Sequence, residues 1–175
     1  ELRLAPMAGV TNAPFRLVAR ECGAGLLTSE ELDARALVAG NAHTEVLARH
    51  LPAEHPIALQ LLGSDPDVLA EAARRLEATG ADAIDLNMGC PVAKIVAKGQ
   101  GAALMRDPLG AALIFRAMRK AIQQPLTIKI RGGQGPNART GDVKGSAKDA
   151  EVYEAFINGV NKSRPGITKC YQSAL

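Results

Sequence analysis

Tryptophan is absent, and phenylalanine and tyrosine bring the aromatic share of the 175 residues to only 3%, which argues against recognition of bases on an aromatic stacking platform. Cysteine is scarce as well. Cys22, Cys90 and Cys170 are too few, and odd in number, for a disulfide framework, so reduced thiols are expected and any one of them could be chemical. No Cys-x-x-Cys pair occurs, and His43, His50 and His55 lack a metal-ligand spacing, so no metal is expected. No run approaches the ~18–20 apolar residues a membrane span needs, and the opening Glu-Leu-Arg-Leu-Ala-Pro lacks the basic-then-apolar order of a secretory leader. A soluble, cytoplasmic protein without a membrane partner is the expectation. Neither sign of charge dominates: a net charge of +3 leans weakly towards anionic partners and does not identify a nucleic-acid binder by itself. What remains is ordinary. With 47% hydrophobic and 22% charged residues, the chain has the composition and length of one folded domain.

From Leu2 to Arg131 short apolar runs alternate with polar or glycine-containing turns and amphipathic segments of helical period, a βαβα rhythm. Strands are predicted at Leu2 to Ala5, Gly25 to Thr28, Ile57 to Leu62, Ala83 to Asn87 and Leu126 to Ile130. The pattern predicts helices over Asp67 to Thr79, capped by Ser64 or Asp65, and over Pro108 to Gln123, capped by Asp107 and stopped by Pro125. Shorter helices are expected at Pro14 to Cys22 and within Glu31 to Arg49. Parallel strands joined by helical crossovers form either an open doubly wound sheet or a closed (β/α)8 barrel. Polar or conformationally special residues follow each strand: Pro6-Met7-Ala8-Gly9, Ser29-Glu30-Glu31, Gln60 with Gly63, Asn87-Met88-Gly89-Cys90, and Lys129 with Arg131. Barrel enzymes build their sites at the strand ends, and no Gly-x-Gly-x-x-Gly turn follows the first strand, so an α/β fold of (β/α)8 TIM-barrel type is predicted. About five β/α units are legible, hence a barrel that looks truncated. Beyond Arg131 the run Gly132 to Gly141 reads as linker, and Asp149 to Asn158 is the one further segment with helical promise, leaving 132–175 as an atypical tail.

Cys90 follows a buried strand, with Gly89 allowing a tight turn and Pro91 restricting Cys90 to extended backbone. A thiol held there, mostly protonated at neutral pH, can donate a proton or act as a nucleophile; a small buried residue is the plainer reading. That plainer reading is preferred for Cys22, at a helix end, and for Cys170, in the tail. Lys129 is a lone cation in Leu126-Thr127-Ile128-Lys129-Ile130 and must be paired, snorkel out or face a ligand, where it could stabilise negative charge or form a Schiff base. Gln60, inside Ala58-Leu59-Gln60-Leu61-Leu62, has donor and acceptor to satisfy, as a ring with both along its edge would do; a purely structural buried glutamine is the equal alternative. Lys94 and Lys98, in the Gly-rich stretch after Cys90, suit a phosphate-bearing polymer or simply a solvated loop.

Taken in order, Ala5-Pro6-Met7-Ala8-Gly9-Val10-Thr11-Asn12-Ala13-Pro14-Phe15-Arg16, Ser29-Glu30, Gln60 to Pro66, Asp85-Leu86-Asn87-Met88-Gly89-Cys90-Pro91, Gly101-Ala102-Ala103-Leu104 and Lys129-Ile130-Arg131 resemble the tRNA-dihydrouridine synthases, particularly the bacterial DusB-like branch. The resemblance implies an FMN-containing (β/α)8 barrel that reduces the C5–C6 double bond of a tRNA uridine with NADPH as reductant. It implies hydride transfer from the flavin to uracil C6 while a cysteine, here Cys90, protonates C5 from the opposite face. It further implies that backbone at Pro6, Met7 and Ala8 lies under the flavin ring, that Gln60 and Lys129 meet its polar edge, that Asn87 orients the uracil, and that Lys94, Lys98 and Arg131 approach the RNA. Residues 1–131 would then be a partial FMN-binding barrel domain. The family's later FMN-phosphate segments and its C-terminal helical domain have no counterpart legible in Gln134 to Leu175. A partial barrel leaves strand edges uncovered, so self-association is expected. Two other readings stand beside this one: a Schiff-base lyase using Lys129, and a non-catalytic half-barrel that associates with a partner chain or RNA.

Overall fold

The computed structural model describes residues 2–130. Four parallel strands, β1 (Leu27–Asp33), β2 (Ile57–Leu62), β3 (Ala83–Met88) and β4 (Leu126–Ile130), lie side by side in the order β1-β2-β3-β4. Each strand pairs with the next in sequence and the order never reverses, which is barrel winding and not the switch-point order of a doubly wound sheet. The predicted first strand, Leu2 to Ala5, is reduced to a single bridge between Arg3 and Leu26, with Leu4 N donating to Leu26 O at 2.9 Å. Pro6 has no N–H to carry a ladder further. The second predicted strand starts later and runs on to Asp33, so Ser29, Glu30 and Glu31 lie within a strand and not in the turn after it. Pairing with β2 outweighs their weak strand preference.

The crossovers are helical. Helix α1 (Ala13–Glu21) starts one residue before the predicted Pro14 and is capped by Asn12, whose Oδ1 accepts from Phe15 N at 3.1 Å. The segment expected to hold one helix contains two short ones, α2 (Ala34–Val38) and α3 (Ala42–Leu47), separated at Gly40, whose φ of 71° suits glycine. Helix α4 (Pro66–Glu77) has Asp65 as cap, accepting from the amides of Asp67 and Val68, and Pro66 in its first turn. A short helix α5 (Ala93–Val96) interrupts the stretch read as a Gly-rich loop, and α6 (Pro108–Ala121) is capped by Asp107.

Helices α4 and α6 cover one face of the sheet. Ile57, Leu59 and Leu61 of β2 and Ile84, Leu86 and Met88 of β3 are buried there against Leu69, Ala72, Ala73, Leu76, Ile114 and Met118. By the two-residue period of a strand the other face carries Ala58 and Gln60, Asp85 and Asn87, Thr127 and Lys129. The apolar runs therefore conceal a second, polar face. That face is concave: Arg3, beyond β1, donates through Nη2 to Asp85 Oδ1 on β3 at 2.8 Å and to Thr127 Oγ1 on β4 at 3.3 Å. In a flat sheet four strand spacings of about 4.8 Å would separate Arg3 from β4, more than an arginine side chain spans. The sheet curls around its polar residues, as a barrel wall does.

Candidate active site

At the centre of the concave face is Asp85, a fully buried carboxylate. Burying such a charge is costly unless it is paired and hydrogen-bonded, and here every contact is supplied: Arg3 on Oδ1, the Thr127 hydroxyl also on Oδ1, and Gln60 Nε2 on Oδ2 at 2.7 Å. The Gln60 amide is thereby oriented, with its Oε1 accepting from Asn87 Nδ2 at 3.2 Å. Asn87 in turn uses Oδ1 to accept from the backbone N–H groups of both Gly89 and Cys90, each at 3.0 Å. A continuous chain, Asp85 to Gln60 to Asn87 to Cys90, thus fixes the backbone of the cysteine that follows β3.

Cys90 is held from its other side too. Its carbonyl accepts from Ala102 N at 2.9 Å, and a Cβ placed on Gly101 would stand 2.6 Å from that carbonyl oxygen, so the glycine permits the contact. The Cys90 side chain is half-buried, whereas Cys22, read as a small buried residue, is exposed at the end of α1. Helix ends face water, which explains that difference; Cys170 lies outside the described residues.

Lys129 is the register partner of Asn87, and its charge acts on Glu31. Glu31 reaches this face because of a bulge: between the pairs Thr28 with Ala58 and Glu31 with Gln60, three steps of β1 oppose two of β2. Without the bulge Glu30 would stand beside Gln60. Glu31 Oε2 accepts from Asn87 Nδ2 at 3.0 Å. Burial pushes its carboxyl up from the usual carboxylate range, against the opposing pulls of Lys129 and the Asn87 hydrogen bond. Glu30 accepts from Gly9 N. The turn after Pro6 is fixed also by buried Thr11, whose Oγ1 accepts from Met7 N at 3.1 Å and donates to Met7 O at 3.0 Å.

Of the residues singled out in the sequence, Gln60, Asn87 and Cys90 form one hydrogen-bonded unit with Lys129 beside it. Pro6, Met7 and Ala8 belong to the pinned turn, in which Met7 and Ala8 are exposed. Lys94 and Lys98 are exposed in and after α5. Arg131 lies outside the described residues. Arg3, Glu31, Asp85 and Thr127 were missed. Asp85 carried the same signal as Lys129, a charge inside an apolar strand, whereas Glu31 depends on a bulge that no sequence period reveals. Among the described residues no cluster of His, Cys, Asp and Glu suits a metal ion, and no helix is long and apolar enough to cross a membrane.

A family model described as dihydrouridine synthase matches residues 3–142, passing the boundary set at residue 131. The chain is 39% identical over 159 residues to a protein of Pseudomonas aeruginosa named tRNA-dihydrouridine synthase B, covering 90% of this chain and 48% of that protein. It is 40% identical over 157 residues to the protein of that name from Xanthomonas campestris, covering 89% of this chain and 47% of the relative. A probable tRNA-dihydrouridine synthase of Rickettsia prowazekii is 43% identical over 137 residues, or 78% of this chain and 42% of that one. At 90% coverage the similarity to the Pseudomonas protein runs into the segment that looked atypical in the sequence. The chain spans about half the length of these relatives. With the match to the family model extending over most of its length, the chain belongs to the dihydrouridine synthase family.

Proposed function

We propose that this chain supplies the ring-facing part of an FMN-dependent enzyme that reduces a uridine of tRNA to 5,6-dihydrouridine, with NADPH as the source of electrons. The observation that carries the reading is the hydrogen-bonded chain that ends on the Cys90 backbone beside a cation, Lys129.

The donor set suits a planar ring with acceptors along one edge. Gln60 Nε2 gives one hydrogen to Asp85 and keeps a second, and Lys129 offers a charge on the same face. Gln60 and Lys129 would meet the polar edge, while the Met7 turn, its backbone locked by Thr11, would lie against the ring. Reduced FMN, when bound, supplies a hydride for C6 of the uracil. The Lys129 charge favours negative charge developing at the cofactor edge. The Cys90 thiol gives its proton to C5, so that the C5–C6 double bond is replaced by two C–H bonds and the thiolate is reprotonated from solvent. Both hydrogens of the Asn87 amide are committed to Glu31 and Gln60. We therefore assign Asn87 to placing Cys90 in preference to contacting the base. Lys94 and Lys98, exposed beyond Cys90, would meet RNA phosphates, and the target base must leave its stack to reach the thiol.

Incubation of the protein with FMN, NADPH and uridine-bearing tRNA, followed by mass spectrometry of the nucleosides, tests the reading. A bound-flavin absorption spectrum and uridine that has gained two hydrogens are the expected results. Flavin uptake that leaves every uridine unreduced would overturn it.

A further inference from the structure

We infer that Glu31 is a positioning residue for the Cys90 thiol, acting through Asn87. For its consequence in turnover the inference rests on the proposed role of Cys90 as proton donor; the geometry stands apart from that role. The bulge in β1 brings the Glu31 carboxylate to the level of Gln60 on the concave face. There Oε2 takes one Asn87 Nδ2 hydrogen at 3.0 Å while Gln60 Oε1 takes the other at 3.2 Å. The two acceptors together determine which end of the Asn87 amide faces the Gly89 and Cys90 amides. If the amide turned over, Nδ2 would face two backbone donors and Oδ1 would face two acceptors, losing all four bonds.

Of the two, the bond to Glu31 is the shorter and the one that becomes charge-assisted when the carboxyl is ionised, which roughly doubles the strength of such a bond. Gln60 alone offers Asn87 a neutral carbonyl. Among the described residues, the charged groups sharing this face are Lys129 on β4, Asp85 on β3, Asp33 two residues further along β1 with its carboxylate on the Ala36 amide, and Arg3 ahead of β1, with Gln60 of β2 neutral between them and the Cys90 thiol beyond β3. Asp85 is already paired with Arg3, whereas the Glu31 carboxyl is pushed up by burial, against the opposing pull of Lys129. Ionised Glu31 therefore holds Asn87 firmly, and protonated Glu31 holds it less.

Amide hydrogen exchange in the full 175-residue chain reads this placement directly, because the Gly89 and Cys90 N–H groups are the ones Asn87 grips. The Ile84 amide, bonded to Pro125 O at the other end of β3, serves as an internal reference. In Glu31→Ala, protection at Gly89 and Cys90 is expected to fall about tenfold, corresponding to the loss of one hydrogen bond to a charged group, with Ile84 unchanged. Glu31→Gln, which keeps an acceptor but no charge, is expected to fall less. Lowering the pH through the Glu31 ionisation should loosen the wild type towards the Gln variant and leave that variant itself unchanged. Protection at Gly89 and Cys90 that stays at the wild-type level in Glu31→Ala, or that falls equally at Ile84, would overturn the inference. Dihydrouridine formation is measured separately on the same proteins: a lower kcat with KM unchanged in Glu31→Ala is expected, and an inactive wild type would count against the proposed function without touching the exchange result.

Discussion

The two ends of the β-sheet use polar groups differently. Around the start of the strands they close on the main chain. Arg16 and Glu54 form a buried pair at 2.6 Å, and their remaining atoms go to Thr11 O at 2.7 Å, Arg49 O at 3.3 Å and Leu51 N at 2.6 Å. Arg20 donates to the carbonyls of Gly25, Glu54 and Pro56, and Asp82 accepts from Ile57 N at 2.7 Å while pairing with His55. The arginine bonds tie α1 to the β2 entry, and Asp82 ties the β3 entry to it. At the finish of the strands, side chains bond to one another from Asp85 to Asn87, and that series returns to backbone at its last link, on Gly89 and Cys90. Gln60 keeps a donor in reserve there. Polar groups bonded to backbone hold a fold; polar groups aligned in series on a concave face fix one position, the Cys90 backbone.

If that contrast is right, variants at the two ends differ in what they damage. Glu54→Ala leaves Arg16 buried without its partner and is expected to cost about 3–5 kcal/mol in urea unfolding. The stability it removes has no bearing on the chemistry of Cys90 in molecules still folded. Asn87→Ala is expected to cost less stability, about 1–3 kcal/mol, because the Gly89 and Cys90 amides lose their acceptor, while uridine reduction falls on the order of 100-fold through misplacement of the thiol. A loss of stability with full activity would erase the distinction between the ends.

Smaller effects follow from the two perturbed ionisations. Glu31 has its pKa raised by burial, so the folded state favours its protonated form; its contribution to stability is present below about 4.3 and is lost as pH rises through the folded value. Glu31→Gln should therefore melt at or above the wild-type temperature at neutral pH, with the gap closing under acid. His50, which contacts His55 at 3.1 Å, is pushed below its usual range first by burial and then by His55. The folded state resists its protonation, so stability should decline as pH drops below about 6.5. Replacement of His50 by Gln is expected to flatten that decline slightly in thermal melts recorded across the range.

Much of this architecture was legible in the sequence. The strands Ile57–Leu62 and Leu126–Ile130, the caps Asp65 and Asp107, and parallel winding all follow from apolar runs, capping residues and crossover length. Gln60 and Lys129 stood out because a polar group in an apolar strand demands a partner. The rest depends on long-range contacts: Arg3 meets Asp85 and Thr127 only when the sheet curls, and Glu31 meets Asn87 only because β1 bulges. The predicted first strand fell short for a local reason, since Pro6 ends its ladder, yet its Arg3 still joins the site.

The most direct test is single-turnover formation of dihydrouridine in tRNA by the FMN-loaded, NADPH-reduced protein, comparing wild type with Cys90→Ala. If the chain from Asp85 to Asn87 exists to aim a proton donor, the variant forms product about 100- to 10,000-fold more slowly while its cofactor is still reduced by NADPH. Product formation at the wild-type rate in Cys90→Ala would contradict the account.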